Sequence, residues 1–482
     1  MTIKTASYTS ALTVARTLRE AGHQAFFAGG CVRDLLLGLT PKDFDVATSA
    51  RPEEIVALFP KTFTVGAHFG VVLVRQTVEE EPGDGDQRGG EYEIATEVAT
   101  FRNDGAYSDG RRPDDVRFSN LPTEDALRRD FTINGMLLDP VAYDATGDAE
   151  AATLDFVHGR EDLARGVIRA IGDPALRFAE DKLRMLRAVR FAARLNFQID
   201  PATTAAIRRH AAEIHQVSPE RNRDELTRIL TEGGARRGFE LLYEAGREAG
   251  LLAQILPEVV RLRGVAQPPE FHPEGDVWTH TMLLLEKLPA GCSATLAWGA
   301  LLHDIGKPAT YQPPDPVVPG DRIRFNGHVE AGVRIAEAVL DRLRFSNQEK
   351  TQIVALVKNH MRFGDILQMR ASTLKRFLRL PHFDEHLTLH RLDASSAHGD
   401  LSLYEFAREQ YEAEPAEDKR PASLVTGRDL IAAGYRPSPQ FKAMLALAED
   451  AQLEGAATTR EQALALVRSH FALAPANSRA AQ

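Results

Sequence analysis

The sequence predicts an α+β chain: a mixed head followed by mainly helical segments. Two observations carry this. Strand-like runs gather near the start, at residues 25–28, 43–48, 71–74 and 91–101. Behind them the apolar periodicity is helical, as in residues 179–195, 297–302 and 460–471. A chain of 482 residues gives room for three or so domains with buried cores.

The composition is that of a globular protein, 43% hydrophobic and 26% charged. No run of 18 apolar residues and no basic-plus-apolar leader is present, so neither a membrane span nor a secretory signal is expected, and a cytoplasmic location is. Cys31 and Cys292 are the only cysteines, too few for a disulfide framework and consistent with a reducing compartment. The net charge of −10 is unevenly spread. Residues 160–240 hold 16 Lys+Arg against 12 Asp+Glu, a local +4, leaving −14 elsewhere. That basic segment is the expected phosphate-facing part.

In the head, Gly29 and Gly30 end the apolar run 25–28 and lead into a helix-compatible segment, residues 32–37. The glycines let backbone N–H groups approach a phosphate, and Arg33 adds a charge-assisted contact. Asp43 and Asp45 follow two residues apart in a strand-like run, where alternate side chains share a face and can hold a divalent metal together. Glycines, a basic residue and paired carboxylates suit Mg²⁺–nucleoside triphosphate chemistry. Arg51-Pro52-Glu53-Glu54 marks a helix start. Residues 71–74 read as a short buried strand, 79–90 as a polar surface loop and 91–101 as a long strand.

The Gly29-Gly30-Cys31-Val32-Arg33-Asp34 segment with Asp43-Phe44-Asp45 resembles the head signature of the class II tRNA nucleotidyltransferase and bacterial poly(A) polymerase family. That resemblance runs from about residue 25 to about 225. It implies a polymerase-β-like nucleotidyltransferase head, with Asp43 and Asp45 as catalytic Mg²⁺ ligands. A third carboxylate is assigned by it to Glu97, with Glu93 the alternative because the strand register is open. The loop Arg102-Asn103-Asp104-Gly105 through Arg111-Arg112-Pro113 is similar to a family element needed when A follows C. Asp125 and Arg128, in the Asp125–Asn134 segment, share a helix face at i,i+3; the matching family segment helps hold the nucleotide. Gly135 stands where the family usually has Ala, and is expected to loosen a helix by roughly 1 kcal/mol.

Asp181 and Arg184 fall on one face of the helix expected over 179–195. A carboxylate only accepts hydrogen bonds and a guanidinium only donates them. Cytosine and adenine each offer an amino donor beside a ring-nitrogen acceptor, whereas uracil and guanine reverse that order. An Asp–Arg pair therefore matches C and A and leaves polar groups unpaired with U and G. The segment resembles the family's protein template for the incoming base, and Arg187 is counted with the nucleotide-binding residues on the same ground. Residues 218–225 resemble a later neck motif that braces the neck helices.

A second site follows. His280, His303, Asp304, His328, His360 and Asp393 form an ordered H…HD…H…H…D set of nitrogen and oxygen ligands, with Asp304 able to bridge two ions. The set resembles the HD superfamily of metal-dependent phosphohydrolases and implies a divalent transition metal or Mg²⁺. His272, His386, His390 and His398 are left unassigned. The tail from about 422 reads as helical, with an RNA-contacting or packing role, and residues 472–482 as disordered.

The expected organisation is a nucleotidyltransferase head (1–150), a helical neck and body for nucleotide selection and RNA binding (151–265), an HD domain (266–405) and a helical tail (406–482). The leading expectation is template-independent addition of CCA to tRNA 3′ ends from CTP and ATP with Mg²⁺. The alternatives are a poly(A) polymerase or partial A-adding enzyme, and an HD phosphohydrolase with a vestigial head.

Overall fold

The computed structural model describes residues 5–64, 70–79, 91–104, 116–245, 250–413 and 423–472. The expected loop elements at 80–90 and 105–113, and the chain end from 473, lie outside these. The chain divides into two compact units. The first holds Met1–Arg261 with Leu288–Gly291 and Asp341–Phe345; the second holds the remainder.

The first unit begins with a seven-stranded mixed sheet. Its strands are β1 (Ala25–Ala28), β2 (Asp45–Thr48), β3 (Thr62–Thr64), β4 (Val71–Glu79) and β5 (Glu91–Thr100). A separate ribbon pairs β6 (Arg102–Asp104) with β7 (Val116–Phe118), and β8 (Leu137–Leu138) and β9 (Thr153–Leu154) complete the sheet in the order β3-β4-β5-β2-β1-β8-β9. β4 is longer than the buried strand expected at 71–74. It forms an antiparallel pair with the whole of β5, and its buried residues alternate at Val72 and Val74, the pattern of a half-covered strand. Helix Ala6–Glu20, capped by Thr5, covers the sheet, and Tyr8 stands edge-on to Phe27 and Phe44 at 5.8 and 5.4 Å.

The helices behind the sheet announce themselves locally. Asp173-Pro174 and Asp200-Pro201 open helices Pro174–Glu180 and Pro201–His210, each Asp accepting first-turn N–H groups and each Pro supplying a preset φ. Ser218-Pro219 opens Pro219–Thr231. Gly135 does not loosen a helix: it ends the short turn Thr132–Asn134, and a Cβ there would lie 2.8 Å from Val157 and 2.9 Å from Ile171. Close packing selects glycine at this point.

The second unit is helical. Helix Ala294–Leu302 is apolar all round and buried from Leu296 to Leu302, as a central helix must be. Val277–Glu286, Asn347–Asn359 and Phe383–Ser396 surround it. Residues 423–472 form a small helical module with its own core of Leu430, Tyr435, Met444 and Val467. Arg376 on helix Ala371–Leu378 joins this module through Glu449 and Asp450, at 3.0 and 2.6 Å. Among the described residues no helix is long and apolar enough to cross a membrane.

Candidate active sites

In the head, the chain turns sharply where β1 ends. Gly29 has φ +79°, a left-handed conformation that favours glycine, and a Cβ on it would press on Arg129 at 3.3 Å. Helix Gly30–Leu36 follows and points its start into a cavity of about 690 Å³. Arg33 is buried on the wall, held by Asp34 at 2.7 Å and by the Asn134 side-chain oxygen at 2.7 Å.

Asp45 is the first residue of β2 and pairs with Ala28 across the sheet. Asp43 lies two residues before the strand, which begins at Asp45; exposed Asp43, buried Phe44 and half-buried Asp45 keep the alternation expected of an extended run. Both carboxylates line the same cavity. Glu97 joins Asp45 in an adjoining pocket of about 220 Å³. The parallel register explains this: Val46 pairs with Val98, which puts Asp45 and Glu97 side by side one step earlier. Glu93 is about 13 Å further along the strand and is taken by Lys61 at 2.8 Å and Arg75 at 3.3 Å.

The three carboxyls repel one another. Burial, then Glu97, then Asp43 push the Asp45 carboxyl up to about 7, with Arg129 opposing. Burial and then Asp43 also push Glu97 up. Crowded carboxylates with a shortage of positive charge are the condition a divalent cation relieves.

Asp125 is fully buried and does not reach the cavity. Its oxygens are taken by Arg128 and Arg129, at 2.5 and 2.9 Å, and those two arginines line the wall instead. The continuous helix expected over 179–195 is broken. Helix Pro174–Glu180 ends, Asp181 turns extended (φ −147°, ψ 108°), and helix Arg184–Leu195 begins. The cause is local: the Asp181 side chain accepts the Leu183 N–H at 3.0 Å, a turn that competes with helix. Asp181 and Arg184 therefore share no helix face. The turn brings both onto the same cavity wall by another route. They are not paired with each other. Asp181 binds Arg221 at 2.7 Å, while Arg184 binds Glu180 and the Arg177 carbonyl. Arg187 lines the cavity, paired with Asp130 at 2.6 Å.

Arg129, Arg190, Arg194 and Arg221 also line this cavity and were not singled out from the sequence. Arg221 lies in the 218–225 segment read as a brace. Glu225 does tie Arg190 at 2.7 Å, but Arg221 faces the cavity and holds Asp181.

In the second unit the six expected ligands converge. Asp304 lies 3.3 Å from His303 Nε2, 3.6 Å from His360 Nε2 and 3.9 Å from His328 Nε2; Asp393 lies 3.0 Å from His280 Nε2. Gly306 permits this, since a Cβ there would strike the His328 carbonyl and the backbone of Gly332. His303, His328 and His360 each have Nδ1 against a backbone carbonyl three residues earlier, at 2.7–2.9 Å. This fixes the hydrogen on Nδ1 and leaves Nε2 bare. The Nε2 atoms of His280, His303, His328 and His360 are buried without a hydrogen-bond partner, and face carboxylate oxygens. Lone pairs pressed against carboxylates in a dry site fit a cation between them. Lys307, 2.6 Å from Asp304, and the neighbouring imidazoles outweigh burial and hold that carboxyl well below its usual range. A cavity of about 760 Å³ opens beside Asp304, His328, His360 and Asp393. His272, His390 and His398 line it, whereas His386 does not. His390 is stacked on Phe363 at 4.2 Å.

Family models match in the same order: the poly A polymerase head domain over residues 25–169, a probable RNA and SrmB-binding site of polymerase A over 196–262, and an HD domain over 276–397. A CCA-adding enzyme of Geobacillus sp. (strain WCH70) is 39% identical over 239 residues, 50% of this chain and 53% of that enzyme. One of Geobacillus stearothermophilus is 40% identical over 244 residues, 51% and 54% of the two chains. The chain thus spans about half the length of these curated relatives. A crystal structure of the Bacillus stearothermophilus CCA-adding enzyme in complex with CTP is similar over 97% of this chain and 99% of that one, with TM-score 0.67 and 26% identity. With the sheet, the helical neck and the histidine cluster in this order, the chain matches the poly A polymerase head domain, the RNA-binding segment that follows it and an HD domain behind them, the order of parts that the tRNA nucleotidyltransferase and poly(A) polymerase resemblance implies.

Proposed function

We propose that the protein adds CCA to tRNA 3′ ends without a nucleic-acid template, using CTP and ATP. One observation carries the reading: a single cavity collects the Gly29–Gly30 turn, Asp43, Asp45, Asp181 and Arg184 among a group of arginines. Asp43, Asp45 and Glu97 would hold Mg²⁺, which when bound supplies Lewis-acid stabilisation of charge at the reacting phosphate and on the leaving pyrophosphate. Gly29, Gly30 and Arg33 receive the triphosphate. Asp125 acts at one remove, by aiming Arg128 and Arg129. Asp181 and Arg184 read the base edge, and Arg187 supports that wall. The relatives named above, one of them solved with CTP, support this choice. We assign 1–150 to the head, 151–265 to neck and body, 266–405 to the HD domain and 406–482 to the tail.

Purified protein offered tRNA ending before CCA, tRNA ending in CC, and unstructured RNA, each with single triphosphates, tests the reading. Addition of C, C and then A only to tRNA is expected; long A tracts on unstructured RNA would refute it.

The second unit supports an additional activity. The four buried, unpartnered Nε2 atoms favour a divalent-metal phosphohydrolase held by His280, His303, Asp304, His328, His360 and Asp393. Metal analysis alongside a phosphoester hydrolysis assay tests it: divalent metal bound to the purified protein and hydrolysis dependent on it are expected, and a protein with neither refutes it.

A further inference from the structure

The H…HD…H…H…D pattern gives no role to Glu274, whose side chain is only 7% exposed beside the cluster. Glu274 lies six residues before His280. One of its oxygens meets two imidazoles, His280 Nδ1 at 2.6 Å and His272 Nδ1 at 2.9 Å, and the two rings stand edge to face at 5.0 Å. A carboxylate only accepts, so both Nδ1 atoms carry hydrogen, and a neutral ring then has its lone pair on Nε2. For His280 that nitrogen faces Asp393 at 3.0 Å. Glu274 thus does for two rings what backbone carbonyls do for His303, His328 and His360. His272 differs from His280 in its position, since its ring lines the cavity beside the cluster.

We propose that Glu274 is a positioning residue of the second site, fixing His280 as a metal ligand and His272 as a substrate-facing imidazole that does not ligate metal. The inference rests on the phosphohydrolase reading. The His272 Nε2 lone pair takes a hydrogen bond from an O–H group beside the phosphorus, either the attacking water or a hydroxyl of the substrate. Hydrolysis joins the water oxygen to phosphorus, breaks the ester P–O bond and leaves the water's protons on the two products.

The full chain loaded with Co²⁺ provides the test, read by the metal's visible absorption. Glu274→Gln should weaken Co²⁺ binding about 10–100-fold. His272→Ala should keep Co²⁺ affinity within about threefold while kcat for phosphoester hydrolysis falls by about 100-fold or more, the lower end of acid–base and positioning effects. Equal losses on bis-p-nitrophenyl phosphate and on a ribonucleoside 3′-phosphate support the water as donor; a loss on the ribonucleotide alone supports the substrate hydroxyl. Wild-type Co²⁺ affinity in Glu274→Gln overturns the proposal, as does a His272→Ala variant that loses metal as His280→Ala does. Histidine ¹⁵N spectra of the wild type need no variant to fold: hydrogen on Nδ1 of His272 and His280 is expected, and hydrogen on Nε2 of either alone refutes it. Co²⁺ binding and hydrolysis that survive His303→Ala with Asp304→Ala would instead overturn the phosphohydrolase reading itself.

Discussion

Replacing Asp45 by Asn removes a carboxyl that its surroundings oppose. With a chelator present, that carboxyl is pushed up to about 7 in the folded protein, against an ordinary value of 3.8. The causes are burial first, then Glu97 and Asp43. Between these values the folded chain keeps a proton that the unfolded chain has released. The contribution of this carboxyl to wild-type stability therefore falls as pH rises from about 4 to about 7, and levels off above that. Asn never ionises and escapes this loss. At full value, a shift of about 3 units corresponds to about 4 kcal/mol at pH 8. Asp45 faces an open cavity where water screens it, so a gain of roughly 1–2 kcal/mol is expected. Urea unfolding of the first unit in EDTA at pH 4, 6 and 8 reads it directly. No difference is expected near pH 4, and a more stable Asn variant at pH 8. Saturating Mg²⁺ should favour the wild type. An Asn variant no more stable than wild type at pH 8 in EDTA, or a difference independent of pH, would refute the repelling-carboxylate account.

Other expectations follow from the same geometry. Asp181→Ala should cost on the order of 1–3 kcal/mol of discrimination between CTP or ATP and UTP or GTP; unchanged ratios of kcat/KM among the four would exclude base reading by this residue. Asp125→Asn leaves two guanidinium groups without their buried partner and should destabilise the first unit by about 2–4 kcal/mol, somewhat below a fully buried pair because Arg128 and Arg129 still reach solvent. Urea unfolding checks this, and wild-type stability would contradict it. Asp43→Ala or Asp45→Ala should abolish nucleotide addition in a folded protein; near-normal addition would remove both from the metal site. His303→Ala with Asp304→Ala should remove bound transition metal, while nucleotide addition stays within roughly tenfold, about 1.4 kcal/mol in the barrier. Collapse of addition in that folded variant would show that the two sites are coupled.

What the sequence disclosed, and what it did not, follows from the range of the interactions involved. The Gly29–Gly30 turn, the helix start at Arg51-Pro52 and the apolar helix before His303 are settled by a few neighbouring residues, and each stands where its local chemistry placed it. The choice between Glu97 and Glu93 could not be made locally. Both lie on one face of β5, and only the pairing of β5 with β2, across about 50 residues of chain, puts Glu97 beside Asp45. Asp181 shows a different limit. Helical periodicity through 179–195 hid a side chain able to bond its own backbone, and that single bond to Leu183 divides the helix. Asp181 and Arg184 still line one cavity, because that needs proximity and not a shared helix face. Gly135 shows the converse. Propensity priced it as a weak helix residue, whereas its neighbours Val157 and Ile171, far along the chain, leave no room for a Cβ. Glu274 was invisible for the same reason: a carboxylate beside a glycine reads as a turn until two imidazoles are seen bonded to it. Residue types that carry chemistry can be read from order and spacing. The residues that aim them have to be found from their hydrogen bonds.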